Sequence, residues 1–280
     1  MREVAVIGAG ELGGMIAHAV ARRDVAGVVH LIDERGRVAE GKALDIAEAA
    51  PIERFATTVV GGADLTTAAG AEIIVIADRA GGTEWQGEEG LTLLRRLDLL
   101  APRALIVCAG TTQHTLVERG VRELRRPRTR LLGSSAHALV AAATAMVALE
   151  LDASPRDVAL SVLGVPPTHI VIGWEAAAVG GFALTRLITE PARRQLARRI
   201  EALWPVGPYA LASAASAVVE AMAVSSRRVM TCLVAPDDSS GIRMRTAAVP
   251  VRLSPEGITD VVQPALSVAE RVALDNAMLL

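Results

Sequence analysis

The sequence predicts an α/β fold, in which a doubly wound parallel sheet is followed by an α+β domain. Through about residue 133, short apolar runs rich in β-branched residues alternate with helical patterns, which is typical of strand–helix–strand crossovers. The first of these runs leads into a glycine-rich turn. After residue 133 most apolar runs follow one another in hairpin-like order. We therefore predict two domains, residues 1–133 and 134–280.

The opening stretch, residues 4–14, has the pattern of a Rossmann dinucleotide site. Residues 4–7 predict a strand, Gly8, Gly10 and Gly13 form G-x-G-x-x-G, and an apolar helical pattern follows at once. Gly10 has no Cβ, so the backbone can approach the cofactor phosphates. The N-terminus of the helix offers unpaired N–H groups to the pyrophosphate.

A second predicted strand, residues 28–32, ends in Asp33. An acidic residue here accepts hydrogen bonds from ribose hydroxyls and repels a 2′-phosphate, which favours NAD over NADP. Ligands of such sheets bind at the carboxyl ends of the strands. The predicted cofactor-binding residues are Gly8, Gly10, Glu11, Leu12, Gly13, Asp33, Ala77 and Ala109.

The remaining elements follow from apolar periodicity. Pro51 is expected to end the helix that starts at Ala39. The predicted helices are 39–50, 86–100, 113–124, 136–149, 191–203, 210–221 and 268–279. The predicted strands are 57–60, 73–77, 104–108, 130–132, 158–163, 170–172, 229–234, 247–253 and 258–261.

Composition narrows the function classes. The chain has 280 residues, is 51% hydrophobic and has a net charge of −2, with few aromatic residues and no long basic tract, so we expect no nucleic-acid partner. No uncharged apolar stretch is long enough to span a membrane.

The first strand begins so near Met1 that we expect no signal peptide. Cys108 and Cys232 lie in apolar runs and predict reduced core thiols of a cytoplasmic protein. The scattered histidines predict no metal site.

Several segments together resemble the lactate/malate dehydrogenase family. They are residues 4–14, LIDE at 31–34, GKALD at 41–45, residues 160–164, RVMTC at 228–232, Gly241–Ile242, VPV at 249–251 and Gly257–Ile258. The resemblance implies a Rossmann domain, an α+β C-terminal domain, NAD as cofactor and a homodimer or homotetramer.

The same resemblance breaks down where the family's chemistry takes place. Reduction of a 2-keto acid needs a proton donor and cationic groups for the carboxylate. Pro166 stands at the position of the family's catalytic His, and Leu139 and Ala142 stand at those of its Asp and carboxylate-binding Arg. Ala109 replaces an Asn near the nicotinamide. The loop after the fourth strand, residues 77–85, is shorter than the family's mobile loop.

We therefore leave the catalytic residues unassigned and consider three candidates. His169 and His137 are candidate proton donors, or are a strand-edge histidine and a packed helical histidine. Arg79 is the one cation of the short loop. It binds a substrate anion, or pairs on the surface with one of Asp78, Glu84 and Glu88. The hydroxyls of Ser134, Ser135, Thr111 and Thr112 line the cleft or cap helices.

Two functions remain open. The first is an NAD-dependent dehydrogenase with altered catalytic residues and a less anionic small-molecule substrate. The second is a non-catalytic NAD(H)-binding pseudoenzyme that serves as a redox sensor or oligomeric partner. In both, NAD is expected to bind with micromolar-range affinity.

Overall fold

The computed structural model describes residues 1–237 and 244–279. Its N-terminal part alternates strands and helices as the sequence predicts. In chain order the elements are β1 (Glu3–Ile7), α1 (Glu11–Arg22), β2 (Val28–Ile32), α2 (Gly36–Glu53), β3 (Thr58–Gly62), β4 (Ile73–Ile76), α3 (Gly87–Leu100), β5 (Leu105–Cys108), α4 (His114–Leu124) and β6 (Leu131–Gly133).

These six strands are parallel and lie in the order β3-β2-β1-β4-β5-β6. Side chains of β4 alternate between two apolar clusters: Ile73 and Val75 pack in one, and Ile74 and Ile76 in the other. A strand with both faces buried needs such an uninterrupted apolar run. The predicted doubly wound sheet is thus confirmed.

The C-terminal part is mixed. Its elements are α5 (Ser135–Glu150), β7 (Val158–Ala159), β8 (Val162–Val165), β9 (His169–Ile172), β10 (Ala178–Val179), β11 (Phe182–Ala183), α6 (Leu184–Leu187), α7 (Glu190–Glu201), α8 (Pro208–Ala223), β12 (Val229–Val234), β13 (Ala247–Ser254), β14 (Gly257–Val261) and α9 (Val268–Leu279). Strands β12, β13, β8 and β9 extend the first sheet as antiparallel neighbours, while β7, β10 and β11 form a small separate sheet.

One sheet crosses the predicted domain boundary, because Gly133 and Leu132 of β6 pair with Leu233 and Val234 of β12. The division at residue 133 therefore stays a prediction. Gly241 and Ile242 lie outside the described residues. Within the described residues, no helix is long and apolar enough to cross a membrane.

Two element predictions were wrong. Helix α2 continues past Pro51 and ends at Glu53, only two residues later. The missing N–H of the proline and the crowding of its ring against the carbonyl four residues earlier therefore fall in the last turn and disturb little of the helix. The strand predicted for residues 158–163 is two strands, with β7 and β8 in different sheets. Cys108 and Cys232 are buried free thiols, and burial raises the pKa of each to about 12.

Candidate functional site: the cleft beside the glycine-rich turn

The glycine-rich turn has the geometry that the sequence predicts. Gly8 follows β1 with φ 109°, in the region that favours glycine. Its N–H donates to the Ile32 carbonyl at 2.7 Å, which ties the turn to β2. A Cβ added at Gly13 would collide with the Gly8 carbonyl, so α1 can start this close to β1 only with glycine at both positions.

The N-terminus of α1 already holds an anion. The Gly13 N–H donates to Asp78 Oδ1 at 2.8 Å, and the Leu12 N–H to Asp78 Oδ2 at 3.3 Å. The carboxylate lies directly over Gly10, where an added Cβ would collide with it. Asp78 follows Ala77 at the carboxyl end of β4, and its own carbonyl accepts from the Gly10 N–H at 3.0 Å. The chain's own carboxylate thus occupies the place predicted for the cofactor pyrophosphate.

Asp33 is buried at the end of β2, and both of its carboxylate oxygens accept hydrogen bonds. Its Oδ2 accepts from the Ala9 and Ala80 N–H groups, both at 2.8 Å, and its Oδ1 accepts from the Arg35 N–H at 2.8 Å. The bond from Ala80 comes from the same loop that supplies Asp78. That bond competes with the ribose hydroxyls for which Asp33 was predicted.

A third carboxylate, that of Glu84, sits at the carboxyl end of β5. It accepts from the Thr111 and Thr112 N–H groups, each at 2.9 Å, and from the Thr112 hydroxyl. It lies over Gly110, next to the fully buried Ala109. Thr111 and Thr112 therefore line the cleft, which was one of the two roles that the sequence left open for them. Their N–H groups already donate to Glu84.

Segment 78–84 lies across the cleft as a tight hairpin. Asp78 and Glu84 form an antiparallel bridge at its ends, and the Gly82 N–H donates to the Arg79 carbonyl at 3.0 Å. Arg79 points out of the cleft: its guanidinium pairs with Glu89 at 2.9 Å and lies 4.8 Å from the centre of the Trp85 ring. Arg79 thus makes a surface pair, but with a partner that the sequence did not predict.

Carboxylates dominate the cleft that remains between this hairpin and the N-terminus of α8. Glu11, Asp78 and Glu84 all face it. The full lining is Glu11, Leu12, Asp78, Gly82, Thr83, Glu84, Gln86, Thr111, Thr112, Val206, Pro208 and Leu211. None of these lining residues, all from the described part of the chain, is a histidine or an arginine.

The two candidate histidines lie elsewhere. Pro166 lies in the tight turn between β8 and β9, and His169 starts β9, at the end of the strand order remote from β1. The His169 Nδ1 is 2.8 Å from the hydroxyl of its neighbour Thr168. The sequence had left a role for His169 open, and the structure does not bring it to the cleft.

His137, in the first turn of α5, lines a different cavity together with Thr144, Ser161 and Thr231. Burial, with the positive charges of Arg228 and Arg23, lowers its pKa to about 4. The imidazole is therefore neutral at pH 7 and has no proton to spare as a general acid. Its Nδ1 is buried without a hydrogen-bond partner.

Three further polar groups are buried without partners at the carboxyl ends of β5 and β6. They are the hydroxyls of Ser134 and Ser135 and the amide nitrogen of Gln113. Gln113 uses its other amide atom to accept from the Gly110 N–H at 2.9 Å. None of the three residues lines the cleft described above, and Ser134, the N-cap of α5, makes no capping side-chain hydrogen bond. Buried polar groups in native proteins are normally paired, so these three are places for bound water.

Comparison with known proteins agrees with this architecture. Residues 2–117 match the family model described as lactate/malate dehydrogenase, NAD binding domain. A malate dehydrogenase of Dehalococcoides mccartyi (strain CBDB1) is 30% identical over 295 aligned positions, which cover 98% of this chain and 95% of the relative. The chain belongs to the lactate/malate dehydrogenase family.

Other family members match along nearly their whole lengths. A malate dehydrogenase of Thermomicrobium roseum is 29% identical, with 99% of this chain and 94% of the relative covered. The solved structure of malate dehydrogenase from Salinibacter ruber superposes with a TM-score of 0.88 at 25% identity, covering 98% of this chain and 93% of that one. The chain thus contains the family's NAD-binding domain, and NAD is the cofactor of that domain.

The fit of this chain to the cofactor has two sides. The strand, glycine turn and helix N-terminus form the frame that a dinucleotide needs. With segment 78–84 in its observed place, however, the Leu12 and Gly13 amides and one oxygen of Asp33 have other partners. The site as folded does not fit a pyrophosphate. Sequence reasoning missed this, although an aspartate at the carboxyl end of β4 was a signal that could have raised it.

Proposed function

We propose that this chain is a dinucleotide-binding member of the family that does not reduce or oxidise 2-hydroxy acids at an enzyme's rate. The observation that supports this most strongly is Pro166, which lies in the β8–β9 turn and which the resemblance of the surrounding residues aligns with the family's proton donor. Proline has no side-chain proton to give. The two histidines considered as replacements are a strand-edge residue and a half-buried neutral imidazole.

The groups that would receive a 2-keto acid also argue against that substrate. Leu139, at the position of the orienting carboxylate, is 1% exposed and packs in the main apolar core. Ala142, at the position of the carboxylate-binding arginine, offers no charge. The cleft itself is lined by Glu11, Asp78 and Glu84. Their negative charges repel a second anion.

One observation favours a second candidate, an NAD-dependent oxidoreductase with a neutral or cationic substrate. The carboxylates that repel a keto acid would attract such a molecule, and the Thr83 and Gln86 side chains add hydrogen-bonding groups at the same cleft. This candidate needs a proton donor, and none of the described lining residues is a histidine. We therefore rank it second.

Purified protein separates these functions. With NADH and either pyruvate or oxaloacetate, absorbance at the NADH band should stay constant, whereas turnover on the order of 10 per second would refute the proposal. Titration calorimetry should detect NADH and rank it above NADPH, because Asp33 disfavours a 2′-phosphate. NADH consumption with neutral or cationic carbonyl compounds would favour the second candidate. A cytoplasmic location and a homodimer or homotetramer remain part of the proposal.

A further inference from the structure

Asp78 satisfies the part of the fold that ordinarily receives cofactor phosphates. Helix α1 is twelve residues long, from Glu11 to Arg22, and its first free N–H groups have a partial positive charge. Those of Leu12 and Gly13 both donate to the Asp78 carboxylate. Hydrogen bonds to an ionised acceptor are about twice as strong as neutral ones. A pyrophosphate can use these amides only after Asp78 has left.

Glu84 repeats the arrangement at the neighbouring strand. Both of its oxygens are engaged, one with the Thr111 N–H and the other with the Thr112 N–H and hydroxyl. Asp78 and Glu84 thus place two negative charges along the carboxyl edge of β4 and β5, the edge along which a dinucleotide extends in this fold.

The two carboxylates belong to one unit. Segment 78–84 is closed at its ends by the Asp78–Glu84 bridge, and its middle is held by the bond from Ala80 to Asp33. On the outer side Arg79 pairs with Glu89 of α3. Gly81, with φ 65°, and Gly82 form the turn, where backbone freedom is greatest. The hairpin can therefore leave the α1 amides, the Asp33 carboxylate and the Thr111 and Thr112 amides together.

We propose that segment 78–84 is an internal competitor of the dinucleotide, with the Asp78 carboxylate in the place of the pyrophosphate. This inference rests on the proposed NAD binding. The measured dissociation constant is the intrinsic one divided by the fraction of molecules with the segment displaced. Asp78 thereby sets how weakly the chain binds its cofactor, and removal of its charge tightens binding.

The experiment measures NADH dissociation constants by titration calorimetry at fixed salt for wild type, Asp78→Asn, Asp78→Ala and Glu84→Gln. Because the competitor loses at least one charge-assisted hydrogen bond, Asp78→Asn should bind NADH about tenfold more tightly or better. Glu88→Gln is the matched control. It removes the same charge from an exposed residue that pairs with Arg119, away from the cleft, and should match wild type.

Two smaller ligands distinguish displacement of segment 78–84 from simple charge repulsion. Adenosine diphosphate ribose has the pyrophosphate, so its affinity should rise in Asp78→Asn as that of NADH does. Adenosine is uncharged, but its ribose needs the Asp33 oxygen that Ala80 holds, so its affinity should rise as well if the segment leaves as one unit. A gain for adenosine diphosphate ribose without any gain for adenosine would overturn the inference and indicate only charge repulsion between Asp78 and the phosphates.

The outcomes distinguish failure of the inferred internal competitor from failure of the proposed NAD binding. If wild type and Asp78→Asn bind NADH equally well, the competitor is wrong and NAD binding stands. If no variant binds NADH or adenosine diphosphate ribose, both are wrong. Should the Asp78 variants fail to fold, Glu84→Gln tests the same unit from its other end, with tighter NADH binding expected and an unchanged constant contradicting the inference.

Discussion

The neutral state of His137 makes stability depend on pH in a way that can be calculated. Its pKa is about 4 in the folded chain, lowered chiefly by burial and then by Arg228 and Arg23, against 6.5 ordinarily. Between these values the unfolded chain binds more protons than the folded one, so stability falls as pH falls. The part of the free energy of unfolding that depends on a neutral His137 is fully present above pH 6.5 and is lost as the pH drops towards 4.

The magnitude follows from the two pKa values. At pH 7.5 the histidine is neutral in both states and the penalty is near zero. At pH 5 the unfolded imidazole is almost fully protonated while the folded one is not, which lowers the free energy of unfolding by about 2 kcal/mol. With full titration the loss reaches about 3 kcal/mol.

Urea denaturation of wild type and His137→Gln at pH 7.5 and pH 5 measures this term. Glutamine does not titrate, and groups such as His114 contribute equally to both proteins and cancel. The stability difference should shift by about 2 kcal/mol in favour of the variant on acidification. A difference that stays constant to within about 0.5 kcal/mol would refute the reasoning and would restore His137 as a group able to hold a proton near neutrality.

Two stability predictions follow from buried positions. Leu139→Asp places an unpaired carboxylate in the core and should lower the free energy of unfolding by about 4 kcal/mol or more at pH 7, without producing dehydrogenase activity; a variant as stable as wild type in urea would contradict the placement of Leu139. The Arg126 guanidinium is buried, pairs with Asp98 and donates to the Ala104 carbonyl. Arg126→Met should cost about 3 kcal/mol because it leaves these acceptors unpaired, and Arg126→Lys should cost less. Equal melting temperatures for the two Arg126 variants would argue against the pair.

Local sequence patterns were enough to predict the strands, the glycine turn and the helix that form the frame of the site. The β-branched runs, the spacing of Gly8, Gly10 and Gly13, and Asp33 after β2 depend on neighbours within one turn or strand, so their geometry could be predicted before the structure was known. The resemblance supplied the family, and the residues at 139, 142 and 166 supplied the expectation of altered chemistry.

The contents of the site could not be predicted in the same way. Asp78 meets Gly13 across 65 positions of chain, and Glu84 meets Thr111 across 27. Periodicity says nothing about where an irregular loop directs its side chains. Asp78 and Glu84 had been considered only as surface partners of Arg79, whereas backbone amides bind them more fully than an exposed guanidinium would.

The sheet shared by β6 and β12 also limits how the molecule can move. Helices α1 and α8 are clamped across the same boundary, since Arg23 donates to Ser216 at 3.0 Å and to Glu220 at 2.6 Å. Opening by rotation of one half against the other would break sheet hydrogen bonds and this clamp together. Local displacement of a short hairpin breaks far fewer bonds and belongs to the microsecond-to-second range of lid opening and local unfolding. A ligand therefore reaches the floor of this cleft when the hairpin is displaced, and the two halves of the protein do not have to rotate against each other.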